Sequence, residues 1–78
     1  MKVIIKRLPI FERGGCKTEL ALFYVEGSMA KKLRIVVREK ATIDKTVVFK
    51  NLEEIILRND QVDKFFEAVK DIMGMVEQ

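Results

Sequence analysis

The sequence predicts an α+β fold in which a four- to five-stranded antiparallel sheet is followed by one C-terminal helix. Residues 31–40 alternate between apolar and mostly charged side chains, which indicates a strand with two chemically different faces. Gly14-Gly15 and Gly27-Ser28 mark hairpin-length turns, whereas parallel neighbours need crossovers of roughly a dozen or more residues. After residue 59, apolar residues recur at spacings of three and four, as on one face of a helix.

The first two extended segments are expected to form a hairpin. Residues 2–13 are rich in Val, Ile, Leu and Phe, which is typical of a strand. Pro9 lacks a backbone N–H, which predicts that this strand lies at an edge of the sheet or bulges there. Residues 18–26 carry apolar side chains on both faces. This pattern favours a central strand that is covered on both sides, or one whose second face is a binding surface.

The segments after the third strand are less regular. We expect a turn over 41–44 and then a strand that begins at Lys45, with Phe49 facing the core. A further short turn over 51–53 separates residues 54–58, which would form a fifth strand. The final helix is expected to have Asp60 as its N-cap, with Asn59 as the rival, because both side chains accept hydrogen bonds from free helical N–H groups. Gly74 weakens the last turn, so we expect the regular helix to end after Met73.

The chain is expected to be a single domain, residues 1–78, with the sheet over about 2–58 and the helix over about 60–76. A chain of this length buries only about 60–65% of the surface of its unfolded form. The apolar stripe of the helix is wide, because adjacent pairs such as Phe65-Phe66 span about 100° of its circumference. We therefore expect a homodimer, with an interface that includes Phe66, Val69 and Met73. The alternative is that one deep core takes the whole stripe.

Composition excludes several classes of function. There is no histidine, the usual general acid or base, and Cys16 is the only cysteine, so neither a disulfide nor a four-ligand zinc site is expected. We expect no enzyme activity, no cofactor and no metal. The lone cysteine favours a reducing, cytoplasmic location. The longest apolar run, Leu20–Val25, is far below the roughly 20 residues that span a bilayer, so no membrane partner is expected. Many Lys, Glu, Ile and Val residues with few Asn and Gln are typical of a thermophilic source.

Charge is unevenly distributed along the chain. Residues 1–50 contain 12 Lys or Arg and 5 Asp or Glu, whereas residues 51–78 contain 3 and 7. The third strand places Lys32, Arg34, Arg38 and Lys40 on one face, at steps of about 6.6–6.8 Å. This repeat is close to the phosphate spacing of an extended single strand, which predicts a nucleic-acid ligand. The competing interpretation is that these are ordinary solvated side chains with cross-strand partners such as Glu19.

The strand Leu33–Glu39, the strand through Phe49 and the passage Ile55–Asp60 that runs into the helix resemble a known family. This family is the single-stranded-DNA-binding domain of the transcriptional coactivator called positive cofactor four. The similarity covers about residues 17–73. It implies a dimer formed through the helices and single strands bound along curved sheets. It also implies that Arg34, Arg38 and Lys45 contact the backbone of the strand and that Tyr24 stacks on a base.

The sequence leaves two other functions open. The first is a protein-interaction or assembly module that uses the sheet face and the helix stripe and has no nucleic-acid ligand. The second is a small closed sheet that resembles archaeal chromatin proteins and prefers duplex over single-stranded DNA. Whether the nucleic acid is DNA or RNA is not determined by the residue pattern.

Overall fold

The computed structural model describes residues 1–77 and confirms the predicted fold class. Within these residues the chain forms four strands and then one helix: β1 Lys2–Arg13, β2 Cys16–Glu26, β3 Lys31–Ile43, β4 Thr46–Arg58 and α1 Asp60–Val76. The strands form one sheet in the order β1-β2-β3-β4, and each neighbouring pair is antiparallel. The sheet is open, with β1 and β4 at its edges, and β2 is central as predicted.

The two tight hairpins depend on residues with positive φ. Gly14 has a φ of 61° in the β1–β2 turn, a conformation that glycine adopts without steric cost. In the β3–β4 turn, Asp44 and Lys45 have φ values of 49° and 65°. Two successive residues with positive φ fit a two-residue hairpin, because their twist matches that of the strands. The predicted turn over 41–44 is therefore wrong in position, and Lys45 lies in the turn and not in a strand.

Two bulges interrupt the register of the sheet. The first lies in β1, between Pro9 and Phe11. The sequence predicted that Pro9 lies in an edge strand or at a bulge, and β1 is an edge strand with a bulge at this point. The second lies in β4, because Val37 pairs with Glu53 whereas Arg38 pairs with Asn51. The extra residue, Leu52, is accommodated without ending the strand. The predicted turn over 51–53 is thus a bulge, and the expected fifth strand is the second half of β4.

Asn59 connects the end of β4 to the helix. Its backbone N–H donates to the carbonyl of Lys31 at 2.9 Å, and its side-chain Oδ1 accepts from the Lys31 N–H at 3.2 Å. Asn59 occupies the N-cap position, although its side chain makes no cap hydrogen bond to the helix. The rival prediction, Asn59, is therefore correct in position, and Asp60 is the first helical residue. The Asn59 side chain makes no cap hydrogen bond because it binds the Lys31 N–H of β3. The helix ends at Val76, in agreement with the predicted range of about 60–76, and Gly74 does not end it after Met73.

The helix packs on one side of the sheet, which we call the helix face. This face carries Tyr24, whose ring centroid lies 5.7 Å from that of Phe66, and Leu33, which is buried. Val62 is the helix residue that is fully buried against the strands. The opposite side, which we call the open face, has no helix across it among residues 1–77. Side chains alternate between the two faces along every strand except at the bulges.

The core of this chain is small for its apolar content. Among residues 1–77, the buried apolar residues are Ala21, Leu33, Val36 and Val62. Twenty-two large apolar side chains are exposed, many of them on β1, β4 and the helix. The molecule is correspondingly flat, with extents of 42 × 36 × 18 Å. The exposed apolar side chains are thus spread over both edge strands and the helix.

Candidate nucleic-acid interface

The structure places the four predicted basic residues of β3 together on the open face. In the β2–β3 ladder, Lys32 lies opposite Val25, Arg34 opposite Phe23, Arg38 opposite Glu19 and Lys40 opposite Lys17. The regular extended backbone of β3 is the reason, because residues of the same parity point to the same side of a sheet. The helix packs on the other face and leaves this basic row uncovered.

The open face has a clearly positive net charge. By ladder position its charged strand residues are seven bases and three acids, a net charge of +4: Arg7, Lys17, Lys32, Arg34, Arg38, Lys40 and Arg58 with Glu12, Glu19 and Glu54. The helix, in contrast, holds four acids and two lysines, a net charge of −2. The charge asymmetry of the sequence is therefore an asymmetry between two sides of the folded chain.

Arg38 is largely enclosed by neighbouring side chains. Its guanidinium carbon lies 4.3 Å from the ring centroid of Phe49 and 5.8 Å from that of Phe23. Its Nε donates to Oε1 of Glu19 at 2.6 Å, in a pair whose side chains are only 12% and 15% exposed. Its Nη2 is buried and has no acceptor among the described residues. Arg38 therefore has a strong ionic partner, two aromatic neighbours and one unsatisfied donor.

Arg34 forms a two-bond ion pair with Glu54 across β3 and β4. Nε approaches Oε1 at 3.1 Å and Nη2 donates to Oε2 at 3.1 Å, which is the bidentate geometry of a guanidinium on a carboxylate. The hydrogen bond from Arg34 lowers the pKa of Glu54 below its ordinary value, and the same bond raises the pKa of Arg34. The Arg34 guanidinium also lies 5.3 Å from the Phe23 ring.

Lys32 and Lys40 lie at the two ends of the basic row. Within residues 1–77, neither ammonium has a carboxylate within ion-pairing distance. Lys40 lies 6.0 Å from the Phe49 ring, at the outer limit of a cation–π contact. Each lysine also has a basic neighbour in the ladder, Arg58 beside Lys32 and Lys17 beside Lys40. The two ends of the row are therefore the sites where an incoming anion meets unpaired positive charge.

The structure separates two other predicted contact residues from this row. Tyr24 lies on the helix face, where its hydroxyl donates to Oε2 of Glu26 at 3.0 Å. Desolvation, followed by that hydrogen bond, raises the pKa of the Tyr24 phenol. Tyr24 is therefore not positioned to stack on a strand that follows the basic row. Lys45 lies in the β3–β4 turn, at the end of the sheet next to Lys40 and away from Lys32.

Phe23 and Phe49 are the aromatic residues of the open face that contact the basic row. Phe49 was expected in the core but is exposed. The bulge at Leu52 explains the error. It reverses the alternation, so that Phe49 and Ile55 point to opposite faces although both have odd numbers. No residue type in this segment signals the bulge.

The residues predicted for self-association lie along an exposed part of the helix. Phe66, Val69 and Met73 are all exposed, and Met73 retains 54% of its accessible surface. Next to Phe66, a groove of about 370 Å³ opens between the helix and the first two strands. Its lining is mainly apolar, with charged side chains from the strands at its rim: Lys2, Ile4, Lys6, Leu22, Tyr24, Glu26, Leu33 and Phe66. The helix therefore covers only part of its own face of the sheet.

No three His, Cys, Asp or Glu side chains of residues 1–77 converge as metal ligands. The described helix is too short and too polar to cross a bilayer. Comparison of the chain with protein-family models, with curated proteins and with solved structures finds no match. The candidate interface is therefore interpreted from the positions and chemistry of its own side chains.

Proposed function

We propose that this protein is a non-enzymatic nucleic-acid-binding protein that holds a single strand along its open face and acts as a homodimer. The observation that supports the proposal is the combination of four basic residues of β3 with two aromatic rings on an uncovered face. Cations that contact phosphates release the counterions of the nucleic acid, which drives binding. Aromatic rings add stacking that tolerates any base, as in proteins that bind single strands without sequence preference.

The dimensions of the basic row fit a short stretch of extended strand. Lys32 and Lys40 are eight residues apart in a regular strand, which places them about 26 Å from each other. This distance corresponds to about four steps of the 6.6 Å repeat along one face of β3. Phe23 and Phe49 lie beside the row on β2 and β4, within reach of bases from a strand that follows β3. The sugar–phosphate backbone of the nucleic acid would follow the basic row of β3, while its bases turn towards the rings of Phe23 and Phe49.

The homodimer part of the proposal is supported by the exposed apolar surface. Folding orders the whole 9.1 kDa chain, and the few apolar residues buried in its core offset only part of the conformational entropy that is lost. Phe66, Val69 and Met73 follow one another at spacings of three and four along the helix, all three are exposed, and Phe66 lines the groove. A second copy that covers this surface leaves both open faces free, so dimerisation and strand binding use different sides of the sheet.

The test is a titration of fluorescently labelled oligo(dT) at low salt, followed by anisotropy. The double variant K32E/K40E reverses the two unpaired cations of the basic row and is expected to lose most of its affinity. The matched control, K50E/K64E, changes the net charge equally, on the helix face and on the helix. Absence of wild-type binding at low salt refutes the proposal. Equal losses in the two double variants would also refute it, because binding would then depend only on net charge.

An assembly module is the second candidate, and the exposed helix stripe is the observation that favours it. In this case the helix face and the stripe contact other proteins, and the ion pairs of the open face serve only stability. The two candidates predict different sensitivities. A variant with reversed charges at Lys32 and Lys40 keeps its function as an assembly module, whereas a polar substitution at Met73 abolishes it.

A further inference from the structure

Carboxylates already occupy the two arginines at the centre of the basic row. Glu54 binds both Nε and Nη2 of Arg34, and Glu19 binds Nε of Arg38. Two oxygens of a carboxylate present the same fork of acceptors to a guanidinium as two oxygens of a phosphate. A nucleic acid bound along β3 must therefore replace these two carboxylates before it contacts Arg34 and Arg38.

The two ion pairs differ in how easily a ligand replaces the carboxylate. The Arg34–Glu54 pair is about one-third exposed on each side, with side-chain values of 33% and 36%. Exposed pairs of this kind contribute little net free energy, so exchange of partners has a low cost. The Arg38–Glu19 pair is more enclosed, but the Nη2 of Arg38 has no acceptor. A phosphate that displaces Glu19 and then binds both Nε and the buried Nη2 would satisfy a donor that Glu19 leaves unpaired.

The arrangement of paired and unpaired cations favours long ligands over short ones. A single phosphate meets an unpaired ammonium at Lys32 or at Lys40, and these lie about 26 Å apart. It therefore gains contacts at one end of the row only and has no advantage over the carboxylates in the middle of the row. A strand that is anchored at both ends holds further phosphates beside Arg34 and Arg38 at a high effective concentration. Only such a ligand competes effectively with Glu19 and Glu54.

We propose that Glu19 and Glu54 are internal competitors for Arg38 and Arg34, which make the open face selective for strands of several consecutive phosphates over mononucleotides. This inference rests on the proposed function, since it concerns the same surface. The competition also lowers the affinity for any single-stranded nucleic acid. Each phosphate that binds Arg34 or Arg38 leaves Glu54 or Glu19 without its ionic partner. Removal of a competing carboxylate should therefore strengthen binding.

The test compares Glu54→Gln with Glu53→Gln. The two residues are adjacent in β4 and lie on opposite faces, so both variants change the net charge equally. With oligo(dT) of about eight nucleotides, Glu54→Gln is expected to bind about twofold to fivefold more tightly than Glu53→Gln. Thymidine monophosphate should displace the oligonucleotide at lower concentration from Glu54→Gln than from the wild type, because Arg34 is then free.

The outcomes separate this inference from the function on which it rests. If wild-type protein binds oligo(dT) but Glu54→Gln and Glu53→Gln have equal affinities, the competition is refuted and the proposed function stands. If the wild type binds thymidine monophosphate as tightly as the oligonucleotide, the selectivity is refuted as well. Glu19→Gln, checked for folding by circular dichroism, provides a second variant, with Glu39→Gln as its control on the helix face. Absence of wild-type binding at low salt refutes the function itself.

Discussion

The proposed function predicts a salt dependence of binding that counts the cations of the open face in contact with phosphates. The structure places four in the basic row: Lys32, Arg34, Arg38 and Lys40. For single strands, the slope of log affinity against log salt concentration is about −0.7 per phosphate neutralised, so four contacts give a slope of about −2.8. An increase in salt from about 50 mM to about 200 mM should then weaken binding about 50-fold.

Substitution of the two unpaired lysines should reduce this slope by half. In the variant K32Q/K40Q only the arginine contacts remain, so the slope should be about −1.4 and the same increase in salt should cost about sevenfold. Anisotropy titrations of oligo(dT) at four or more salt concentrations supply the slopes. The variant K50Q/K64Q, which removes two lysines elsewhere, should keep the wild-type slope. An unchanged slope in K32Q/K40Q, or an equal decrease in the control, would contradict the assignment of the basic row as the binding surface.

Three further predictions concern the helix and its face of the sheet. Val62→Ala should lower the free energy of unfolding by about 2 kcal/mol, whereas Val69→Ala should lower it less because Val69 is exposed. Urea denaturation at fixed protein concentration compares the two variants. Equal losses would contradict the assignment of Val62 as the buried contact between helix and sheet. Met73→Asp places a charge on the exposed helix stripe and should convert the proposed dimer into a monomer of 9.1 kDa, which light scattering detects. A wild-type protein that is already monomeric would refute the proposed dimer. Tyr24, the only tyrosine, should have a pKa above its ordinary value of 10.0, and Glu26→Gln should lower that pKa. The absorbance of the phenolate follows the titration. Identical titrations of the wild type and Glu26→Gln would exclude the hydrogen bond between Tyr24 and Glu26.

The sign of the tyrosine effect on stability follows from the direction of its pKa shift. Desolvation raises the pKa of Tyr24 in the folded protein, so the folded state favours the neutral phenol. This contribution to stability is fully present below pH 10.0 and is lost as the pH rises through the folded-state pKa. Glu54 has the opposite behaviour. Arg34 lowers its pKa, so its contribution is present above its ordinary value of 4.5 and is lost as the pH falls through the folded-state pKa.

Local patterns in the sequence predicted the elements of this fold well. The alternation in β3, the edge position of β1 and the bulge at Pro9 follow from the properties of individual residues and their immediate neighbours. The turn at Asp44-Lys45 was misplaced because neither residue is the glycine that usually marks positive φ. The prediction of a separate fifth strand was wrong because the residues around the bulge at Leu52 have the composition of a short turn, although β4 continues through them.

The candidate interface was only partly visible in the sequence. Both faces of β2 are apolar, so the residue pattern did not show whether Phe23 or Tyr24 lies on the uncovered side. The position of the helix decides this, since it packs on Tyr24 and leaves Phe23 on the open face. The exposed position of Phe49 likewise depends on a bulge that pairing with β3 produces.

The sequence by itself determined that Lys32, Arg34, Arg38 and Lys40 share one face, because alternation is a local property of any extended backbone. Only the tertiary structure decided which of these cations are already paired. Glu19 and Glu54 come from the two strands that flank β3, and their distance from the arginines depends on register and on the bulge in β4. Register is set by the packing of whole strands against one another, and no short segment of sequence encodes it.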